Sequence, residues 1–342
     1  MPEEKRILCI DGGGIRGLLP AMVLAALEER MRARGDDRPL HQRFDLIVGT
    51  STGGIIAAGL VAPSPKDRRR PAMDAARLVD LYDRRGPEIF ARERFRNLRE
   101  ALRRFSGRPL SQEKYDADPL ERILGEYLGR AQMRDALTNV VLPAYDIEHR
   151  GTLYMRGGRD INRLNADKNV AHDFYFKDAA RATSAAPTFF EPVRVRNLDN
   201  GDLYTLVDGG VFANQPTLCA LAQAKALGWA LDDVKVLSLG TGYQTRQYTY
   251  EQTKDWGPLQ WINPNQATPI LSIVMHGQAD SSDWNAEQFL GKAHFTRIDA
   301  ELERGKGMDD MDDASRRNLD NLAELAGEMI AGAARDLEEW AR

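Results

Sequence analysis

The stretch FDLIVGTSTGGIIAAGLV, residues 44–61, decides how this chain folds. Its apolar start, Phe44–Val48, has little polar alternation, which predicts a short strand covered on both faces of a sheet. The small and apolar residues Gly54–Val61 predict a helix. The turn between them, GTSTG at 49–53, has the Gly-x-Ser-x-Gly pattern, and such a strand–turn–helix lifts a serine hydroxyl off the end of a sheet. We therefore predict that Ser51 is a nucleophile, with Gly49 and Gly53 allowing the tight turn.

The segments on either side of this stretch extend the same alternation. An apolar run at Arg6–Ile10 predicts a strand, a glycine-rich loop follows it, and Leu18–Arg34 predicts a helix with Pro20 in its first turn, where proline is tolerated. Strands alternating with helices predict parallel βαβ units. We therefore expect a three-layer α/β/α fold with a mainly parallel central sheet. Later predicted strands lie at Val140–Tyr145, Thr152–Met155, Leu203–Val207 and Val234–Leu239, and a helix of small residues lies at Lys177–Ala185.

The organisation of the chain predicts one domain over residues 1–342, since no linker or internal repeat interrupts it. Residues 62–139 begin with prolines and a charged run and then become helical and arginine-rich, which predicts a helical insertion over the sheet. Residues 243–342 form a C-terminal extension. We expect its first part, 243–291, to be rich in loops and its last part, Ala314–Trp340, to be one amphipathic helix.

Composition excludes several classes of protein. The formal net charge of −4 argues against a general nucleic-acid binder. The apolar run Ile7–Ile10 is too short for the core of a signal peptide, and no stretch has the apolar length of a transmembrane helix. Two cysteines, Cys9 and Cys219, are too few for a disulfide framework. We therefore expect a cytoplasmic protein, which could still contact the inner face of the membrane from the side.

A serine nucleophile needs a base, and Asp208 has the best position for that role. It ends the apolar strand predicted at Leu203–Val207 and precedes Gly209 and Gly210, which let the backbone turn sharply. Strand ends of a parallel sheet share one edge, so Ser51 and Asp208 are expected to meet there. Burial would raise the pKa of this carboxyl and make it a better base. The alternative is that Asp208 only forms a turn.

The glycine-rich loop, DGGGIRG at residues 11–17, supplies the third part of a site. An acyl-transfer transition state develops an oxyanion, and the amides of Gly12, Gly13 and Gly14 can approach it closely. Arg16 would add positive charge or anchor the loop. The same loop matches the dinucleotide fingerprint Gly-x-Gly-x-x-Gly, which predicts an oxidoreductase instead. That alternative requires an acidic residue at the end of the second strand, where this chain has its Gly-x-Ser-x-Gly turn.

These segments together resemble the patatin-like phospholipase family. The resemblance rests on the glycine-rich loop at 11–17, the GTSTG turn at 49–53 and the late Asp208-Gly209-Gly210. Two further blocks, ATSAAPTFF at 182–190 and LSLGTG at 237–242, are similar to the family as well. In order along the chain, the five blocks cover about residues 7–242. The last hundred residues contain no block that we can match.

The resemblance implies a lipid acyl hydrolase of the phospholipase A type, a serine hydrolase that acts on carboxylic esters. Ser51 would be the nucleophile, Asp208 its base without a histidine, and the three glycines the oxyanion hole. It implies no metal and no cofactor. It implies a phospholipid or other acyl-lipid substrate, and it is consistent with peripheral membrane contact and with a small-molecule activator. A non-catalytic lipid-binding or storage protein of the same fold is a further alternative.

Four other features suggest further hypotheses. Seven arginines between Arg92 and Arg108 could form a surface for anionic lipids, although a helix with a solvated basic face is the simpler interpretation. His276 or His294 could complete a triad with Ser51. The acidic run at 309–313 suggests calcium, but it lacks the glycine and the closing glutamate of an EF-hand and is better explained by the start of a helix. Aromatic residues between 243 and 261 could line an acyl cleft or pack a loop.

Overall fold

A computed structural model describes residues 4–91, 114–168, 170, 172–243, 248–261, 269–302 and 308–342. The predicted basic segment at 92–108 lies outside these residues. The central sheet contains eight strands. They are β1 (Lys5–Ile10), β2 (Leu46–Gly49), β3 (Asn139–Asp146), β4 (Gly151–Gly157), β5 (Val193–Arg196), β6 (Leu203–Asp208), β7 (Val234–Leu239) and β8 (Phe295–Ile298).

Helices cover both faces of this sheet. They are α1 (Leu18–Ala33), α2 (Thr52–Val61), α3 (Ala75–Asp80), α4 (Gly86–Ile89), α5 (Asp118–Leu128), α6 (Arg159–Asp167), α7 (Phe176–Thr183), α8 (Gly210–Ala213), α9 (Thr217–Ala226), α10 (Tyr250–Thr253), α11 (Pro258–Trp261), α12 (Pro269–Leu290), α13 (Arg316–Gly332) and α14 (Ala334–Trp340). Short 3-10 turns and one π-helical turn, Leu81–Arg85, join some of them. Within 62–139 the described residues form the helices α3, α4 and α5.

Alternating side chains of β1 show how the sheet divides the core. Leu8 and Ile10 pack under α1, α2 and α13, whereas Ile7 and Cys9 pack against α9 on the opposite face. All four side chains are fully buried. A strand whose apolar side chains are buried on both faces belongs to a sheet covered on both sides. The predicted three-layer α/β/α architecture is therefore confirmed.

The pairing of the strands is mostly parallel. β1 pairs in parallel with β2 and β7, β2 with β3, and β7 with β8. The strands β4, β5 and β6 are antiparallel to their neighbours. The sheet therefore has a parallel centre and an antiparallel flank.

Strand β3 determines how the site is assembled. One of its edges is paired with β4 over residues 140–146. On its other edge β2 pairs with residues 139–141 and β6 pairs with residues 144–146, in antiparallel register. The carboxyl ends of β2 and β6 therefore point toward each other across Leu142 and Pro143. We expected Ser51 and Asp208 to follow neighbouring strands that run in the same direction. Instead β6 is antiparallel to β2, so the two residues come together at carboxyl ends that face each other.

Two predictions for the C-terminal extension are wrong. The stretch expected to be rich in loops contains the 22-residue helix α12, which packs against α8 and α9. The helix expected at Ala314–Trp340 is two helices, α13 and α14, separated at Ala333, where ψ is 17° rather than helical. The strand β8 at the edge of the sheet was also not predicted. Its four residues are too few to show a period in the sequence.

Candidate active site

Ser51 lies in a strained turn between β2 and α2. Its backbone has φ 56° and ψ −123°, a region that residues with a side chain rarely adopt. Such strain persists only where the surrounding structure enforces it. A Cβ placed on Gly53 would lie 2.2 Å from the carbonyl oxygen of Ile10, so this position accepts only glycine. Gly49 ends β2 in similarly close contact with the backbone of Gly53.

A buried threonine holds this turn against the sheet. The Ser51 amide donates a hydrogen bond to Thr183 Oγ1 at 3.1 Å, and the Thr183 hydroxyl donates to the Pro143 carbonyl at 2.6 Å. Pro143 lies in the gap of β3 between its pairings with β2 and β6. The two bonds therefore connect the serine turn to the point where the two strand ends meet.

Asp208 is the last residue of β6 and is only 2% exposed. Its Oδ1 accepts the Gly210 amide at 2.6 Å, and its carboxyl group interacts with the Ser51 side chain. Gly209 separates the strand from α8. Burial raises the pKa of Asp208 from 3.8 to about 7, and the bonds from Ser51 and Gly210 oppose this rise. The structure thus brings the predicted serine and aspartate into contact. The raised pKa of the Asp208 carboxyl lies close to neutral pH.

The glycine-rich loop passes directly beside Ser51. A Cβ placed on Gly12 would lie 3.1 Å from Ser51 Cβ. The Gly12 amide donates to the Asn214 carbonyl at 3.0 Å, and its carbonyl accepts the Thr241 hydroxyl at 2.6 Å. Among the described residues, the amides of Gly13 and Gly14 make no such backbone bond, and both glycines face the cavity at Ser51.

Gly14 and Arg16 fix the shape of this loop. Gly14 has φ +61°, and a Cβ there would lie 2.0 Å from the Met311 carbonyl oxygen. Arg16 is 6% exposed and donates from Nε to the Gly13 carbonyl at 3.2 Å, while burial lowers the pKa of its guanidinium to about 10. Arg16 therefore holds the loop through the Gly13 carbonyl. The Met311 backbone closes the outer side of the loop at Gly14, where a dinucleotide would place its pyrophosphate.

An apolar cavity opens in front of the serine, and we call it the acyl cavity. It encloses about 740 Å³, including its open mouth. Ser51, Asp208, Gly13 and Gly14 form its polar end. Its other walls are mostly hydrophobic and include Ile55, Ile89, Phe90, Leu120, Phe189, Phe190, Val211, Leu271, Met275 and Met311. A long apolar group bound here would lie beside the serine hydroxyl.

The histidines considered for a triad lie elsewhere. His294 Nδ1 contacts the Val234 carbonyl at 2.9 Å, at the start of β7. Ser51 follows the carboxyl end of β2, which is parallel to β1 and β7, so this histidine lies at the other end of the strands. His276 is exposed on α12 and lines a neighbouring cavity, but not the acyl cavity. Neither is placed to contact Ser51. In the described ranges, no three His, Cys, Asp or Glu side chains form a cluster that could bind a metal ion.

Other parts of the sequence have roles that we did not predict. Thr183 belongs to the ATSAAPTFF block, but nothing in that block indicated a bond to the serine amide. Met275 and Met311 reach the acyl cavity from distant segments. Trp256 packs edge-on against Tyr248 and Trp261, with ring centres 5.3 and 5.1 Å apart, and these aromatics do not line the acyl cavity. They pack a loop, which was one of the two alternatives.

The acidic run at 309–313 supports the site and the helix that follows. The Met311 carbonyl accepts the Ile15 amide at 2.8 Å, and Asp312 accepts the Tyr115 hydroxyl at 2.6 Å. Helix α13 begins after Ser315, whose side chain caps it. The run therefore joins the glycine loop to a helix start, in agreement with the simpler prediction.

Comparisons with known proteins place this chain among the patatin-like proteins. A family model described as patatin-like phospholipase matches residues 8–221. The chain is 31% identical over 353 residues to "Patatin-like protein 3" of Arabidopsis thaliana, with 95% of this chain and 80% of that protein covered. It is 33% identical over 360 residues to "Patatin-like protein 2" of Oryza sativa subsp. indica (96% and 85% covered) and 30% identical over 351 residues to "Patatin group M-1" of Solanum tuberosum (96% and 84% covered).

Proposed function

Because the chain belongs to the patatin-like phospholipase family, we propose that it hydrolyses fatty acyl esters of phospholipids through a Ser51–Asp208 dyad. Membership of the family supports lipid acyl hydrolase activity in general. The observation that carries the finer proposal is the Ser51 side chain beside a buried carboxyl whose pKa is raised to about 7, with both residues lining the polar end of an apolar cavity.

The first half of the reaction forms an acyl-enzyme. Ser51 Oγ attacks the ester carbonyl while Asp208 takes its proton, and a carboxyl with a pKa near the working pH suits this transfer. The developing oxyanion accepts hydrogen bonds from the amides of Gly13 and Gly14, whereas the Gly12 amide is already engaged. Asp208 then gives the proton to the departing alcohol. The acyl chain remains on Ser51, with its hydrocarbon in the acyl cavity.

The second half releases the fatty acid. Water attacks the acyl-Ser51 carbonyl while Asp208 takes a proton from it, and the same two amides bind the second oxyanion. Asp208 returns the proton to Ser51 Oγ, which restores the starting state. This scheme uses no metal ion or organic cofactor.

The alternatives receive less support. A dinucleotide-binding oxidoreductase would need space for a pyrophosphate at the loop, and the Met311 backbone occupies that position against Gly14. A non-catalytic lipid-binding protein would have no need for a buried carboxyl in contact with a strained serine. Strain of this kind costs about 1–3 kcal/mol and is typical of functional sites.

The substrate proposal extends to the membrane surface. Across the described ranges, no helix has the length and hydrophobicity that a transmembrane span requires. Helix α12 exposes Ile270, Ile273 and Val274 by 46–48%, and the intervening Leu271 and the next-turn Met275 line the acyl cavity. One helix thus presents apolar side chains to solvent and to the cavity at the same end. We propose that this end of α12 rests on a lipid surface while substrate enters.

Vesicle binding tests this contact. Ile273→Asp should reduce co-sedimentation with phosphatidylcholine vesicles severalfold, because a carboxylate would have to enter the lipid interface. Leu203→Asp is the matched control, since Leu203 is 40% exposed at the start of β6, the end opposite Asp208. Equal loss in both variants, or no loss in either, would rule out a specific role for α12.

The catalytic proposal is tested by fatty-acid release from mixed phospholipid vesicles in the presence of EDTA. Wild type should release fatty acid, Ser51→Ala should show only background, and Asp208→Asn should be slower by about 10²- to 10⁴-fold, the usual contribution of a general base. Asp146→Asn is the control, because Asp146 is equally buried but contacts His149. Unchanged release by a folded Ser51→Ala variant would overturn the proposal.

A further inference from the structure

A second cavity lies on the other side of the glycine loop, and we call it the polar cavity. Gly13 and Gly14 line the acyl cavity, whereas Asp11 and Gly12 line the polar cavity. Both cavities share the side chains of Met275 and Met311 as walls. The polar cavity encloses about 970 Å³, including its open mouth. It therefore adjoins the site of the ester bond without being part of the acyl cavity.

The polar cavity has an excess of negative charge. Four carboxylates and two guanidinium groups line it, the latter from Arg16 and Arg297. Arg297 contacts three of the carboxylates, Asp11 and Asp299 at 2.7 Å each and Asp283 at 3.3 Å. Arg16 also interacts with Asp299 and Asp11, so two guanidinium groups face four carboxylates. The fourth, Asp280, is exposed at the rim on α12.

The burial of this cluster makes the excess charge costly. Asp11 is 3% exposed, and burial raises its pKa from 3.8 to about 7 despite the adjacent Arg297. Burial also raises the pKa of Asp283, again against the attraction of Arg297. Carboxyl groups with raised pKa values bind an additional positive charge favourably, whether a proton or a cation.

Two deeply buried polar atoms in the walls have no hydrogen-bond partner among the described residues. They are Asp11 Oδ1 and Arg16 Nη1, from side chains that are 97% and 94% buried. Buried polar groups in folded proteins are nearly always paired, so unpaired ones at the edge of a cavity indicate a ligand or water. The acidic cluster is thus accompanied by one unsatisfied acceptor and one unsatisfied donor, both buried in residues that line the same cavity.

We propose that the polar cavity binds an organic ammonium group, and that it receives the head group of ethanolamine- or choline-type phospholipids. This inference rests on the proposed function. When the acyl chain of an ester lies in the acyl cavity and its carbonyl at Ser51, the alcohol part lies past Met275 and Met311, at the polar cavity. Asp280 and Asp283 on α12, together with Asp299, attract a cationic head group and disfavour an uncharged glycerol head group.

Binding of non-hydrolysable lipids tests the site without turnover. We would measure the Kd of hexadecylphosphocholine and of hexadecylphosphoglycerol, both below their critical micelle concentrations, by calorimetry on Ser51→Ala and wild-type protein. The phosphocholine lipid should bind about tenfold more tightly, which corresponds to about 1.4 kcal/mol. Equal affinities for the two lipids would overturn the inference.

Variants of the acidic residues that line the polar cavity test which carboxylates cause the preference for the phosphocholine lipid. Asp280→Asn, at an exposed position, should lower the preference about threefold, and the double variant with Asp283→Asn should abolish it. Asp232→Asn is the control, because Asp232 is exposed before β7, at the opposite edge of the sheet, and removes the same formal charge. A preference that persists in the folded double variant, or that falls equally in Asp232→Asn, would refute the assignment.

Two further measurements complete the test. One identifies the source of the ammonium group, and the other distinguishes this inference from the proposed function. If choline chloride binds as tightly as hexadecylphosphocholine, the cavity serves a free amine and the head-group assignment is wrong. The preference in kcat/KM for phosphatidylcholine over phosphatidylglycerol should match the preference in binding. Preferential binding without hydrolysis would refute the proposed function alone, whereas hydrolysis with no head-group preference would refute this inference alone.

Discussion

Replacing Asp208 by asparagine should stabilise the protein at neutral and alkaline pH while it removes activity. The carboxyl is 2% exposed, and its pKa is raised from 3.8 to about 7 by burial. The folded chain therefore binds a proton more tightly here than the unfolded chain does. As pH rises from about 4 to about 7, the unfolded state ionises first, and the folded state loses stability relative to it. The loss is complete above the pKa of the folded state.

The expected size of this stabilisation follows from the pKa of Asp208 in the unfolded chain, 3.8, and in the folded protein, about 7. At about 1.4 kcal/mol for each tenfold change in proton affinity, they correspond to a penalty of about 4 kcal/mol above pH 7. The neutral amide of the Asp208→Asn variant would escape this penalty and could still accept the Gly210 amide. The pKa of about 7 already includes the interactions with Ser51 and Gly210 that favour the charged carboxyl, so it gives the whole penalty. We therefore expect Asp208→Asn to be more stable than wild type by about 4 kcal/mol at pH 8, and by almost nothing below pH 4.

Urea unfolding of both proteins at several pH values between 4 and 8 measures this difference. The gap in the free energy of unfolding should open through the range from 4 to 7. The kcat/KM of wild type for a soluble ester should rise over the upper part of the same range, because the base must be ionised to accept the serine proton. A variant that is no more stable than wild type at pH 8, or a gap that does not depend on pH, would refute the reasoning.

Three further predictions concern the surroundings of the serine. Thr183→Val should destabilise the protein by about 1–3 kcal/mol and lower kcat more than it raises KM, because it leaves the Ser51 amide unpaired; equal kcat in both proteins would contradict this. His276→Ala and His294→Ala should each keep near-normal fatty-acid release. A large loss in either variant would instead support a catalytic triad that includes that histidine. Gly53→Ala should yield little folded protein in expression and thermal-melting tests, and a normally folded, active variant would show that the close contact at this turn can relax.

The sequence predicted the parts of the site that depend on local backbone chemistry. The Gly-x-Ser-x-Gly turn and the aspartate before two glycines each require an unusual backbone at one place, and such requirements leave a local pattern. The strand Val234–Leu239 was predicted with the observed limits because it is apolar and bounded by turn residues. The contact between Ser51 and Asp208 was also expected, although from the wrong strand direction.

What the sequence did not show depends on packing between distant segments. Helix α12 carries apolar side chains on an exposed face and on the face toward the acyl cavity, so its hydrophobic residues do not follow the period of a single buried face. The antiparallel direction of β6 arises from its pairing with β3, some sixty residues earlier in the chain. Likewise, the contact of Met311 with the glycine loop joins segments about three hundred residues apart, for which one sequence contains no signal.

The central claim is that Ser51 carries the acyl group during turnover. A short incubation with a long-chain p-nitrophenyl ester, acid quenching and peptide mass spectrometry would test it most directly. The account predicts the acyl mass on the peptide that contains Ser51 in wild type, much less of it in Asp208→Asn, in which acylation lacks its base, and its absence in Ser51→Ala. An acyl group on another residue, or product formation by Ser51→Ala at the rate of wild type, would contradict it.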